Sequence, residues 1–113
     1  MLPKQNRLAR SEFDLVFKKG RRIRGRSFSL IILSGEDKKE PIKIGIIVTK
    51  KVYKKAVDRN KLKRQIKNTI NPDILKSLPS GVKIAITAFP VPKPMRYQEI
   101  KEELVQLFSK IKF

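Results

Sequence analysis

Between residues 42 and 89 the apolar positions change period twice, and this pattern restricts the fold more than any other feature of the chain. Ile42, Ile44, Ile46 and Val48 share one face by strict alternation, the period of a strand. From Ala56 the spacing becomes helical, with Leu62, Ile66 and Ile70 at i, i+4 and i+8. Val82, Ile84, Ile86 and Ala88 then alternate against Lys83, Ala85 and Thr87. A strand, a helix and another strand are therefore expected in that order.

The flanks extend the pattern. Ser11 reads as an N-cap with Asp14 in the first turn, Phe13, Val16 and Phe17 fall on one helical face, and Gly20 is a stop. Taken alone, that aromatic stripe reads as core. Ser27 to Leu33 is a β-branched and aliphatic run, Ser34 to Pro41 is polar and turn-rich, and the strands around them are expected to form a hairpin-like antiparallel pair. Asn71-Pro72-Asp73 marks a break and a new start, with Asn71 capping and Pro72 at the first helical position of a short helix carrying Ile74, Leu75 and Leu78. Pro79-Ser80-Gly81 is a turn, and Val82 to Phe89 is the strand that follows it. Pro90, Pro92 and Pro94 make a stiff connector. The final helix is expected over 97–111, with Ile100, Leu104, Leu107, Phe108 and Ile111 on its inner face. The 113 residues suit one domain, 1–113, with a modest core and no room for a separate catalytic domain.

Charge is the outlying property. Twenty-eight Lys and Arg against ten Asp and Glu give a net +18, a self-repelling field that calls for a polyanionic partner. Nucleic acid is the leading candidate, because each neutralised phosphate releases condensed counterions. No segment approaches the roughly 18 consecutive apolar residues of a spanning helix. The first ten residues are basic and lead into charged sequence, so no secretory signal is expected and a cytoplasmic location is. Cysteine and histidine are absent, which excludes disulfides, thiolate metal sites and a self-sufficient His-dependent nuclease.

The cations are not spread evenly. One cluster comprises Lys18, Lys19, Arg21, Arg22, Arg24 and Arg26. A second runs from Lys50 to Lys67 with Asp58 as its single acid, and the last helix is nearly balanced. On a helix over 56–69, Asn60, Lys63, Arg64 and Lys67 stand at i, i+3, i+4 and i+7 and form one polar stripe beside the apolar seam. Like charges at that spacing repel by a few tenths of a kcal/mol per pair, and a phosphate backbone laid along the stripe reverses the sign. Asn60 is a poor helix former whose amide suits a phosphate, a 2′-hydroxyl or a base edge. The carboxylates show no paired motif of the two-metal kind: Glu36-Asp37 falls in a loop, and Glu102-Glu103 reads as solvated surface. No catalytic side chain is expected on this chain. These features alone fit an enzyme subunit that acts on RNA. They also fit a small ribosomal protein or RNA chaperone, or a cationic membrane-active or DNA-compacting protein.

The motifs decide among these. G-I-I-V-T-K-K over 45–51 and A-V-D-R-N-K-L-K-R over 56–64 resemble the signature of the bacterial ribonuclease P protein family. The opening N-R-L-A-R-S-E-F-D-L-V-F-K-K-G, the following R-R-I-R-G-R-S-F, and the closing strand, Pro linker and Y-Q-E-I-K-E-E-L helix match that family's layout in order and length. The resemblance implies an α+β fold, a mixed α/β sandwich with a small mixed central sheet, three to four helices and a left-handed βαβ crossover, ribosomal protein S5 domain 2-like. It implies a monomeric protein subunit, one copy per RNA, of an endoribonuclease that removes the 5′ leader from precursor tRNA. Cleavage is then expected at Mg²⁺ held mainly by the RNA subunit, with no cofactor held tightly by the protein.

Carried onto this chain, the resemblance puts RNA-subunit binding at Lys50, Lys51, Arg59, Asn60, Lys61, Lys63, Arg64 and Lys67. It puts a leader-binding cleft at Phe13, Phe17, Arg26, Phe28 and Ile31. Two positions depart from the family pattern. Lys61 stands where Arg is usual, which keeps the charge but loses the planar bidentate fork. Ile31 stands where an aromatic is frequent, and it packs well but stacks poorly.

Overall fold

The computed structural model describes residues 4–35, 40–70, 72–90 and 95–111. A short 3₁₀ turn at Lys4–Asn6 precedes α1 (Arg10–Lys19), β1 (Arg21–Arg24), β2 (Phe28–Leu33), β3 (Lys43–Ile47), α2 (Ala56–Thr69), α3 (Pro72–Ser77), β4 (Lys83–Ala88) and α4 (Tyr97–Ser109). The strands form one sheet in the order β1-β2-β4-β3. β1 and β4 are antiparallel to β2, whereas β3 runs parallel to β4. This is the mixed α+β architecture expected.

The hairpin is placed differently from the expectation. β2 does not pair with β3, because β4 lies between them. β2 is buried on both faces and lacks alternation, so it needs a partner on each side. The hairpin forms instead between β1 and β2, with Arg24 opposite Ser29. β1 carries Arg21, Arg22 and Arg24, whose charge hides its strand signal and blunts the sheet edge against further pairing.

The sheet buries two unequal layers. On one face Phe28, Leu30, Ile32, Ile44, Ile84 and Ile86 pack against Leu62 and Ile66 of α2 and Ile100, Leu104 and Leu107 of α4. Each side chain fully buried there contributes about 1.5–3 kcal/mol relative to exposure. The other face holds a small cluster, Leu8, Val16, Ile31 and Ala85, with Phe13 and Leu33 against it, and α1 lies over it. The β3 edge is covered by the N-terminal segment: Arg7 bridges Ile44 in parallel, Leu8 N–H donates to the Ile44 carbonyl at 3.2 Å, and Asn6 Nδ2 donates to the Ile42 carbonyl at 2.7 Å.

Local signals account for most boundaries. α2 spans 56–69 as the seam predicts, α3 begins at Pro72, and Gly81 takes a φ of 81°, the left-handed region that favours glycine in a turn. α1 differs at its start. Its N-cap is Ala9 and not Ser11, because the Glu12 carboxylate reaches back to accept the Ala9 N–H at 2.9 Å, as the acidic half of a capping box does. α4 stops at Ser109. The Asn71 cap, the Glu36-Asp37 loop and the prolines at 92 and 94 lie outside the described residues. Among the described residues no helix is long and apolar enough to cross a membrane.

Candidate nucleic-acid interface

α2 presents its cations as the spacing predicts. Leu62, Ile66 and Thr69 are buried, while Asn60 and Arg64 are exposed and Lys63 and Lys67 half-exposed. Two of the candidates on α2 itself, Lys61 and Arg59, stand off that stripe. Lys61 lies on another flank, lining a shallow cavity of about 250 Å³ with Tyr53, Asp58, Gln65 and Met95. Arg59 is half-buried, and its Nη1 donates to the carbonyls of Tyr53 (2.9 Å) and Lys54 (2.7 Å). It thereby ties the loop before α2 to the helix's first turn. Val52 N–H donates to Thr49 O at 3.0 Å within that loop, and Lys50 and Lys51 are exposed on it. Arg59 therefore acts as a positioning residue for neighbouring cations, a role hidden from sequence because its partners are backbone carbonyls.

The α1-facing side of the sheet is organised in rows set by strand register. One row crosses Arg22, Ile31, Ala85 and Gly45, and the next crosses Arg24, Ser29, Thr87 and Ile47. Val16 is fully buried in the same cluster as Ile31 and Ala85, and Phe13 sits against Gly45, where its ring occupies the space a Cβ would take. Phe17 stacks on Phe13 with ring centroids 6.4 Å apart and an interplanar angle of 24°, and stays 40% exposed. The helix is anchored at the opposite end of this face, where Glu12 Oε2 pairs with Lys43 at 3.0 Å and Lys83 at 3.4 Å. Burial alone pushes the Glu12 carboxyl up, but the Ala9 N–H and the two ammonium groups outweigh it and hold it below the ordinary carboxylate range. At the far end the Arg24 guanidinium lies over the Phe89 ring, 5.1 Å from its centroid. β3 ends at Ile47, so Lys50 and Lys51 leave the sheet at the same end as the Arg24–Ile47 row.

Three residues of the expected cleft offer no contact area on this surface. Phe28 is 1% exposed and packs in the opposite layer with α2 and α4, because alternation along β2 sends it to the face away from Ile31. Ile31 is on the correct face but only 2% exposed beneath α1, so it supports the helix and offers no contact area. Arg26 lies in the β1–β2 turn, lining a groove of about 840 Å³ with Glu99, Glu102 and Glu103 of α4. Glu103 is also corrected from solvated surface to a structural acceptor: it is half-buried and receives the N–H groups of Ser27 (2.9 Å) and Phe28 (2.8 Å). Sequence reading missed Glu12, Lys43 and Lys83, and also Arg24, Thr87 and Phe89. Position on the non-core parity of β3 and β4 was the available signal for Lys43, Lys83 and Thr87.

Comparison with known proteins identifies the family and the fold. The family model described as Ribonuclease P matches residues 2–112. The chain is 42% identical to the ribonuclease P protein component of Pseudanabaena sp., covering 99% of this chain and 96% of the relative. It is 32% identical to that of Bacillus cereus, covering 96% and 93%. Among solved structures it is similar to the RNase P protein of Staphylococcus aureus, with a TM-score of 0.78, 27% identity and 94% of each chain covered. The RNase P protein of Thermotoga maritima gives a TM-score of 0.76 at 27% identity, with 95% and 98% covered. The chain thus belongs to the ribonuclease P protein family, the protein component that partners ribonuclease P RNA in the tRNA-processing endoribonuclease.

Proposed function

We propose that the α2 stripe and the loop before it dock the protein on ribonuclease P RNA, while the α1-facing sheet surface holds the single-stranded 5′ leader of precursor tRNA. The observation that carries this reading is the pairing of a partly exposed aromatic stack, Phe13 and Phe17, with cations leaving the sheet at one end of the same face. Stacking on Phe17 tolerates any base, and Lys50, Lys51 and Arg64 supply phosphate neutralisation. Holding a remote part of the substrate presents the scissile phosphate to the RNA with added binding energy. Among the described residues no group of three or more Asp, Glu, His or Cys is gathered to hold a metal ion. In this proposal the Mg²⁺ belongs mainly to the RNA, with one protein per RNA subunit.

Reconstitution tests the reading. The protein is combined with ribonuclease P RNA at low Mg²⁺, and cleavage is measured for precursor tRNA bearing a one-nucleotide leader or a leader of several nucleotides. A larger protein-dependent gain with the longer leader is expected. Equal gains for both substrates would remove the leader from the proposal.

A further inference from the structure

Resting on the reading that α2 docks on ribonuclease P RNA, we propose that the cavity on a second flank of that helix, lined by Tyr53, Asp58, Lys61, Leu62, Gln65 and Met95, receives one unpaired guanine base of the RNA subunit. Asp58, Lys61, Leu62 and Gln65 fall at i, i+3, i+4 and i+7, so they share one flank of α2, apart from the stripe that carries Arg64 and Lys67. Tyr53 and Met95 pack against the main core and, with the buried Leu62, give the cavity an apolar floor. Asp58 and Lys61 stand exposed at its rim, and Gln65 is half-buried between. The volume of about 250 Å³ falls below the roughly 300–1,000 Å³ of drug-sized sites, so it suits a single ring system and not a run of nucleotides. The bond from Arg59 to the Tyr53 carbonyl, 2.9 Å, holds this aromatic wall to the helix.

Asp58 distinguishes the cavity from a plain phosphate contact. It is the single acid between Lys50 and Lys67, and among the described residues it forms no ion pair, although Lys61 stands one turn away on the same flank. A phosphate backbone repels a carboxylate, so an acid on an RNA-binding helix weakens docking unless it meets hydrogen-bond donors. A base edge supplies them. Guanine fits this pair of charges: its N1–H and N2 amino group donate to a carboxylate, while O6 on the same side of the base accepts from an ammonium. The Gln65 amide adds a donor and an acceptor, and Tyr53 adds aromatic surface against the base.

Ribonuclease P RNA is titrated with wild-type protein, Asp58→Asn, Gln65→Ala and Arg64→Gln over a range of salt concentrations, and each complex is probed with a reagent that modifies N1 and N2 of unpaired guanine. Asp58→Asn makes the protein more positive, so charge alone predicts tighter binding. The guanine site predicts the opposite, about 3- to 30-fold weaker binding with an unchanged log–log salt slope, because a base contact is lost and no phosphate contact is. One guanine protected by the wild type is expected to react again with Asp58→Asn and with Gln65→Ala, and to stay protected at saturating Arg64→Gln. Should Asp58→Asn fail to fold, Gln65→Ala reads the same guanine. Equal or tighter binding by folded Asp58→Asn, or no guanine whose protection depends on Asp58 or Gln65, overturns the guanine site alone when Arg64→Gln still lowers the salt slope. Arg64→Gln that leaves affinity and slope unchanged overturns the docking of α2 and the guanine site with it.

Discussion

The ring of Phe13 occupies the space that a side chain on Gly45 would need, so the approach of α1 to the sheet is set by the absence of one methyl group on β3. The same hypothetical Cβ would stand 2.9 Å from Leu8 Cβ, leaving little room for relief. Gly45→Ala is therefore expected to lift α1 and destabilise the protein by about 1–3 kcal/mol. Chemical denaturation measures the loss, and discrimination between leader-bearing and mature substrate should fall with it.

Phe17 behaves differently from its stacking partner. Because it is 40% exposed, Phe17→Ala should change stability little while weakening leader-bearing substrate by about 1–3 kcal/mol, the worth of one stacked base. Equilibrium binding to precursor and mature tRNA checks this. Equal losses on both would make Phe17 a packing residue.

Glu12 gives a pH-dependent prediction. Its carboxyl is held below its ordinary value in the folded protein, so its contribution is present above the unfolded pKa and is lost as pH falls through the folded pKa. Glu12→Gln should cost about 1–2 kcal/mol at neutral pH, through loss of the Lys43 and Lys83 ion pairs, while its amide oxygen can still accept the Ala9 N–H. The gap between variant and wild type should close as both are acidified below pH ~4. Denaturant titrations across pH read it directly.

Glu103 joins α4 to the start of β2 through the Ser27 and Phe28 N–H groups. Glu103→Ala leaves both donors without that acceptor in a mostly buried setting and should cost about 1–3 kcal/mol. Thermal unfolding measures the change, and Glu102→Ala, at an exposed position, is the matched control with little effect.

Arg59 and Arg64 separate positioning from contact. Arg64→Gln should lower the log–log salt slope of RNA-subunit binding by about 0.7–0.9, as one lost phosphate contact does. Arg59→Lys keeps the charge but cannot reproduce the paired bonds to Tyr53 and Lys54. It should weaken binding with increased amide exchange in the 49–55 loop, while Arg64→Gln leaves that exchange unchanged.

The sequence by itself determined the parts that depend on local period and local charge. α2 spans 56–69 as the change of period at Ala56 predicts, Asn60, Lys63, Arg64 and Lys67 stand on a solvent-facing stripe, and β3 and β4 carry the alternation that sends Ile44 and Ile84 to the main core. The motifs over 45–51 and 56–64 carried the family. Which strands become neighbours was decided only in three dimensions, because an eight-residue segment after β2 permits a hairpin but does not compel one, and β2 required a second partner that the chain supplies fifty residues later. The cleft composition was likewise tertiary. Alternation along β2 already sends Phe28 and Ile31 to opposite layers, but only the tertiary fold covers Ile31 with α1, and the register alone brings Arg24, Thr87 and Phe89 to one end of one face. Burial and hydrogen-bond satisfaction are sums over distant segments, and for Glu103 and Arg59 those distant or backbone partners convert a surface charge into a structural one.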